Sequence, residues 1–388
     1  MGAPYLDAAH RRGLAVSLVE SRSRLAAADT RARLRAEDRT YAVSASLDQA
    51  WYEAASTVLA DTPVDAVVAF SDPQVVAAAL VADELRLPSP GLHAAQVSRD
   101  KALQRVLFLR HGLPQPDFHV ARSAEDAIRW ASGRYPVVGK PVGQAGSLGV
   151  RLLRDDAELR AWLDDERPSP PYLVERYLGG PEFSCEVLVL RGAVVFTSLT
   201  EKVTSDPPYF VELEHHVPAR CEEDAMDAVS ELARRVVSVL GMSTGIMHLE
   251  LRLEPSGPHV LEVAVRSPGD FIMDLVRLAR GVDLFAAALA VACGEEPDVA
   301  VRRREAACAW FPSARPGTIR AIEGLDAVER QEGFVRAAFV PPGTRLRPLR
   351  SSLDRCGTLL LAAPDRNELD RRLKLAKSTL VVATDPTP

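Results

Sequence analysis

The sequence predicts a multidomain protein of α/β and α+β class, with a doubly wound parallel sheet at the N-terminus and a larger β-rich part behind it. Three observations carry this. The 388 residues exceed one ordinary core, so two or three domains are expected. The N-terminal stretch alternates helix-like and strand-like segments, the pattern of a parallel sheet with crossover helices. From Phe183 onward the apolar runs become longer and β-rich.

Composition narrows the function classes. Hydrophobic residues make up 47% and charged residues 26%, the proportions of globular proteins. A formal net charge of −6 argues against a nucleic-acid partner, whose phosphates call for a basic face. No apolar run reaches the roughly 18 residues of a membrane span, and no secretory leader opens the chain. The cytoplasm is the expected location, and a homodimer the default assembly. Cys185, Cys221, Cys293, Cys308 and Cys356 form no metal-like spacing and read as small buried hydrophobes.

Pro4 to Arg12 reads as a helix, Leu14 to Val19 as a strand, and Val64 to Phe70 as a second, buried strand. Ser71 and Asp72 cap a helix from about Pro73 to Leu85. Such a sheet should open with a strand, yet Gly2 is already the glycine of the following turn, so a strand encoded upstream is expected. Leu87 to Gly91 is a turn cluster, and Ser98 to Gly112 a helix of mixed charge. After Leu113-Pro-Gln-Pro116 come strands at Tyr135 to Gly139, Val150 to Leu153 and Tyr172 to Val174. Strands at Glu186 to Leu190, Ala193 to Leu199, Met247 to Leu253 and His259 to Val265 flank a helix from Glu222 to Leu240. In the tail, Phe334 to Val340 and Thr358 to Leu361 read as strands and Asn367 to Lys377 as a helix.

Three constellations could carry chemistry. Lys140-Pro-Val-Gly143-Gln-Ala-Gly146-Ser147-Leu-Gly149 is a strand end running into a glycine loop. Glycines let backbone N–H groups approach phosphate oxygens, and an ammonium adds charge. The loop lacks the terminal Gly-Lys-Ser/Thr of a Walker sequence, and no helix follows as in a dinucleotide loop; an ordinary hairpin is the rival reading. Leu173-Val-Glu175-Arg-Tyr177-Leu178 through Glu182 is an apolar strand entering an exposed connector, suited to a base and ribose or simply a solvated hinge. His248-Leu-Glu250-Leu-Arg252 and Val260-Leu-Glu262-Val-Ala264-Val-Arg266 read as a hairpin turning at Gly257. Alternation puts Glu250, Glu262 and Arg266 on a common face. Paired carboxylates beside a phosphate site ask for a hard cation, and an arginine there can neutralise a transferring phosphoryl group.

Together, and in this order after Arg99-Asp-Lys101, these residues resemble the ATP-grasp superfamily, specifically its carboxylate–amine ligases that include the L-amino-acid (dipeptide) ligases. The resemblance covers nearly the whole chain. It implies an N-terminal Rossmann-like domain over 1–95 and a linker helix with the ATP-grasp lid over 96–178. A catalytic subdomain over 179–300 and an α+β extension over 301–388 complete it. It also implies that Lys101 and Lys140 contact ATP phosphates, with Gln144, Gly146, Ser147 and Gly149 folding over them. Glu175, Tyr177 and Leu178 would line the adenine, Glu182 bind ribose, and Glu250 and Glu262 hold Mg²⁺, or Mn²⁺ in its place. Arg266 would stabilise an acyl-phosphate, with Lys202 adding charge. Tyr209-Phe-Val-Glu212-Leu-Glu-His215 looks like the amino-acid ligase subgroup: Glu212 would grip a substrate ammonium and His215 sit beside the reacting carboxyl. Gly269 and Asp270 fall near the substrate, with Asp270 either a specificity residue or the N-cap of a helix from Phe271 to Gly281.

One departure stands out. Where the family carries Glu-x-Asn-x-Arg, this chain has Glu262-Val-Ala264-Val-Arg266, so a usual Mg²⁺ ligand is missing. The expected reaction is ADP-forming amide synthesis from small-molecule acids and amines. Its rivals are a carboxylase or purine-type ligase of the same fold, and a nucleotide-binding member with reduced catalysis because of Ala264.

Overall fold

The computed structural model describes residues 2–45 and 47–385. Its centre is an eight-stranded antiparallel sheet in the order Gly257–Ala264, Gly245–Glu254, Glu182–Leu190, Ala193–Thr204, Glu212–Val217, Ala306–Trp310, Gly357–Ala363, Phe334–Phe339. The helix Glu223–Leu240 lies on one face of this sheet. Its Val229, Leu232, Ala233, Val236, Val237 and Leu240 recur at helical spacing and pack on Val187, Val189, Leu249 and Leu251. The opposite face is covered by Ile272–Arg280 and the wholly apolar Leu284–Ala292.

A second antiparallel sheet has the order Phe118–Ala121, Tyr172–Arg176, Val137–Pro141, Arg151–Leu153. It packs on Trp162 and Leu159 of the helix Asp156–Glu166. Three strands from beyond residue 300 continue the large sheet, and a separate three-stranded sheet forms from Gly317–Glu323, Arg345–Leu346 and Val381–Asp385.

The N-terminal region departs most from the sequence reading. The helix spans Gly2–Arg11, and its strand is Ser17–Ser21, later than expected because Leu14 N–H still bonds the Ala9 carbonyl. That strand pairs in parallel with Arg39–Val43, too polar a run to be read as a strand. The segment 64–70, expected as a buried strand, joins no sheet among the described residues. Ser71 and Gln74 cap each other's backbone, and Pro73 makes the first turn 3₁₀ before the helix Val75–Glu84. The single helix expected from Ser98 to Gly112 is two, Leu92–Ser98 and Lys101–Arg110. Asp100 divides them by accepting from the N–H groups of Ala102 and Leu103. Asp270 is not a helix N-cap: the helix starts at Ile272, after Phe271 in a left-handed conformation at φ 63°. Cys185, Cys308 and Cys356 are buried thiols, and Cys221 and Cys293 are half-buried. No helix of the described residues is long and apolar enough to cross a membrane.

Candidate active site

The two antiparallel sheets face each other across a cleft enclosing about 950 Å³ of open space. Its floor is the hairpin of Gly245–Glu254 and Gly257–Ala264. The register sets Glu250 directly opposite Glu262, and His248 opposite Ala264. Both carboxylates, Ala264 and Arg266 line the cleft. The two carboxylates do converge, but through a register shift between Glu250 and Leu251 rather than through unbroken alternation.

Cations answer these carboxylates. Lys101 Nζ lies 2.8 Å from Glu262 and donates to the carbonyl of Gln144 at 2.5 Å. Lys202 is buried among three carboxylates, Glu250 at 3.0 Å, Glu182 at 3.3 Å and Glu212 at 3.5 Å. Burial alone would push its pKa down, but Glu250, Glu182 and Glu212 together raise it well above the usual lysine value. Burial likewise works to raise the Glu250 pKa, and Lys202 and His248 pull it well below the carboxylate range. His248 bridges Glu186 at 3.0 Å and Glu250 at 3.2 Å.

Opposite this floor, Lys140 ends the strand Val137–Pro141 with Nζ 2.7 Å from Glu175. The loop that follows is tied down at five points, the first being the Val142 carbonyl, which accepts from the Lys101 N–H at 3.1 Å. The Gln144 carbonyl accepts from Lys101, and the Gly146 carbonyl accepts from the Ser352 N–H at 3.1 Å. Ser147 Oγ donates to the Phe210 carbonyl at 2.8 Å, and the Gly149 carbonyl accepts from Trp162 Nε1 at 2.8 Å. Gln144, Gly146 and Ser147 line the cleft, whereas Gly149 is set behind it.

At the connector, Glu175, Tyr177, Leu178 and Glu182 all reach the cleft wall. The Glu175 carboxylate is not a free acceptor, as expected of an adenine contact. It is buried and held by Arg105 and Lys140, which overcome desolvation and bring its pKa down to about 2. Arg252 is a cleft residue whose role the motifs do not reveal, although period two from Glu250 places it on the same face. It pairs with Glu182 at 3.0 Å, donates to the Leu178 carbonyl at 2.7 Å and lies over the stacked rings of Tyr177 and Phe210.

Arg266 pairs with Asp72 at 2.8 Å, a residue from the N-terminal region with no signal in the sequence beyond its capping position. Its Nε is buried without a partner. His215, Gly269 and Asp270 are not part of the cleft wall. His215 sits behind Asp270 at 3.4 Å, edge-on to Phe311, rather than beside the cleft carboxylates. Asp270 is clamped by Arg355 at 2.8 and 2.6 Å. Burial raises its pKa, and the bonds from His215 and Arg355 bring it far below the usual range. Glu212 remains in the wall, bonded by Lys202 and by the Ser352 hydroxyl.

For a divalent cation the donor set fits. Two carboxylates face each other on one wall, and a Mg²⁺ held there would complete its coordination largely with water. Among the described residues no cluster of three or more His, Cys, Asp or Glu forms a protein-only metal cage.

A small antiparallel sheet closing on a large one over paired lysines and paired carboxylates is the architecture of the ATP-grasp class. Family models match three stretches: an ATP-grasp N-terminal domain at 6–89, an ATP-grasp domain at 133–274 and an L-amino acid ligase C-terminal domain 2 at 309–385. The chain is 30% identical over 310 residues to the uncharacterized protein y4rH of Sinorhizobium fredii, covering 77% of this chain and 64% of that one. Thus it spans less than two thirds of that relative's length. It is 20% identical over 330 residues to the L-arginine-specific L-amino acid ligase of Bacillus subtilis, covering 82% and 79%. Among solved structures, the L-amino acid ligase from Bacillus licheniformis superposes with a TM-score of 0.84 at 23% identity, over 98% of this chain and 95% of that one. The chain thus carries an ATP-grasp N-terminal domain, an ATP-grasp domain and the C-terminal domain 2 of L-amino acid ligases.

Proposed function

We propose that this protein joins a carboxylic acid to an amine with ATP, through an acyl-phosphate, giving ADP, phosphate and an amide. Amino acids are the substrate class, a reading supported by the name of the Bacillus subtilis relative and by the matched C-terminal domain. One observation carries the proposal. A single cleft gathers Lys101, Lys140, the Glu250–Glu262 pair, Arg266 and Glu212.

In this reading ATP would set its base against Val138, Leu178 and Leu261, its ribose toward Glu182 and its phosphates between Lys101, Lys140 and the glycine loop, all of which line the cleft. In the first step a carboxylate oxygen of the acid attacks the γ-phosphorus and ADP leaves. Lys101 and Lys140 hold the phosphate charge, and Arg266 neutralises the charge on the transferring group. Glu250 and Glu262 would hold Mg²⁺ or Mn²⁺, which supplies further neutralisation of the phosphates. Lys101 and Glu262 pair with each other at 2.8 Å. On binding, each exchanges that partner for another opposite charge. In the second step the neutral amine attacks the acyl carbon, its nitrogen gives up a proton, and phosphate leaves. Glu212 orients the amine as its ammonium, which gives one proton to solvent to become the neutral nucleophile; the second proton leaves from nitrogen as the amide forms. The closed loop keeps water from the acyl-phosphate.

The test is a phosphate-release screen of paired amino acids with mass spectrometry of products. The expected result is release of ADP and phosphate that requires both partners and yields an amide. Bicarbonate-dependent turnover without an amine would favour the carboxylase reading instead.

A further inference from the structure

The turn 351–355, which belongs to the C-terminal extension, reaches across to two parts of the cleft. Ser352 donates its backbone N–H to the Gly146 carbonyl at 3.1 Å and its hydroxyl to the Glu212 carboxylate. Of the four residues that anchor the glycine loop, Ser352 is the one that also touches Glu212. The approach is close: a Cβ built on Gly146 would lie 3.7 Å from the Ser352 Cβ.

The turn is itself held rigidly. Asp354 accepts from the Ser351 N–H at 3.0 Å and from its hydroxyl at 2.9 Å. Arg355 donates to the Ser352 carbonyl at 3.0 Å, to the Glu212 carbonyl at 3.4 Å and bidentately to Asp270, with its guanidinium 3.8 Å from the Phe311 ring centre. A fork held by three acceptor groups and a ring has few alternative geometries. The fixed turn can therefore transmit position from the C-terminal extension to the glycine loop.

We propose that Ser352 is a positioning residue that fixes Glu212 for the incoming amine and latches the glycine loop to that same carboxylate. Loop closure and amine binding are thereby coupled: an open loop withdraws the Ser352–Gly146 bond, and a misplaced Glu212 withdraws the hydroxyl bond. The amine half of this rests on the reading of Glu212 given above; the latch half does not.

Three variants separate the two bonds. Ser352→Thr keeps both donors. Ser352→Ala removes the hydroxyl alone. Ser352→Pro removes the N–H as well, at the first position of a short helical turn where proline is tolerated. Amide hydrogen exchange over 143–149 in the ligand-free protein should rise about tenfold in Ser352→Pro, and stay near wild type in Ser352→Ala and Ser352→Thr. Unchanged exchange in a folded Ser352→Pro overturns the latch. With the amino-acid pair found by the phosphate-release screen, Ser352→Ala should raise KM for the amine about tenfold while kcat changes little, and Ser352→Thr should restore it. An equal fall in kcat with unchanged KM overturns the positioning role. Absence of turnover on every pair refutes the ligase reading alone, and the exchange experiment still decides the latch.

Discussion

Lys202 places one positive charge among Glu182, Glu212 and Glu250, and so joins the proposed ribose, amine and metal ends of the cleft. Its removal leaves three buried or half-buried carboxylates facing one another without their counter-charge. Lys202→Met should lower stability by about 3–5 kcal/mol, read from urea denaturation at neutral pH. A loss below about 1 kcal/mol would mean that Arg252 and His248 already balance the cluster. Glu175 gives a second test. Its folded pKa of about 2 lies below the carboxylate value of 4.5, so its ion pairs stabilise the fold fully above pH 4.5. That contribution, about 3 kcal/mol, is lost as pH falls from 4.5 through 2. Glu175→Gln should be less stable at neutral pH and show a flatter acid dependence in that window. An acid-unfolding slope equal to wild type would remove the assignment. Glu175 shows what a sequence conveys and what it withholds. Its place after an apolar strand was legible, but its commitment to Arg105 depends on a partner 70 residues away.

At the scale of elements, the far end of the glycine loop is sterically restricted at Gly149. Gly149 has φ +73°, and a Cβ there would meet Pro141 Cγ at 2.8 Å. Gly149→Ala combines left-handed backbone strain of about 1–2 kcal/mol with a clash against a rigid ring. It should lower the melting temperature by several degrees and reduce turnover more than stability, since Lys140 follows the same strand end. Wild-type melting and turnover would contradict this. The floor hairpin was readable only in part: the register from the turn at Gly257 runs regularly as far as Leu251 opposite Val260, and a register shift beyond it, which alternation does not foretell, sets Glu250 opposite Glu262. The expected strand at 64–70 failed for a different reason. Apolar content marks a segment for burial, but a strand needs a neighbour's ladder, and sequence order does not supply it. Ser352 had no local signal at all: a serine in a turn is ordinary until the fold carries it to Glu212, 140 residues earlier.

For the whole molecule, the large sheet brings the catalytic floor and the C-terminal extension into one continuous layer, so the extension is built into the site. The small sheet closes the other side with Lys140 and the glycine loop. The order of motifs foretold this cleft, while the cross-links from Asp72 and Arg355 arise from tertiary approach alone. Ala264 puts a methyl group opposite His248 where a metal-binding amide was expected, which leaves the two carboxylates as the protein's share of the cation site. The central claim is that the acid becomes an acyl-phosphate before the amine attacks. An acid labelled with ¹⁸O in both carboxylate oxygens tests it most directly. The account predicts that one labelled oxygen leaves in inorganic phosphate for each amide formed, with ADP as coproduct and the second label retained in the amide. Label recovered in AMP, or phosphate without label, would contradict it.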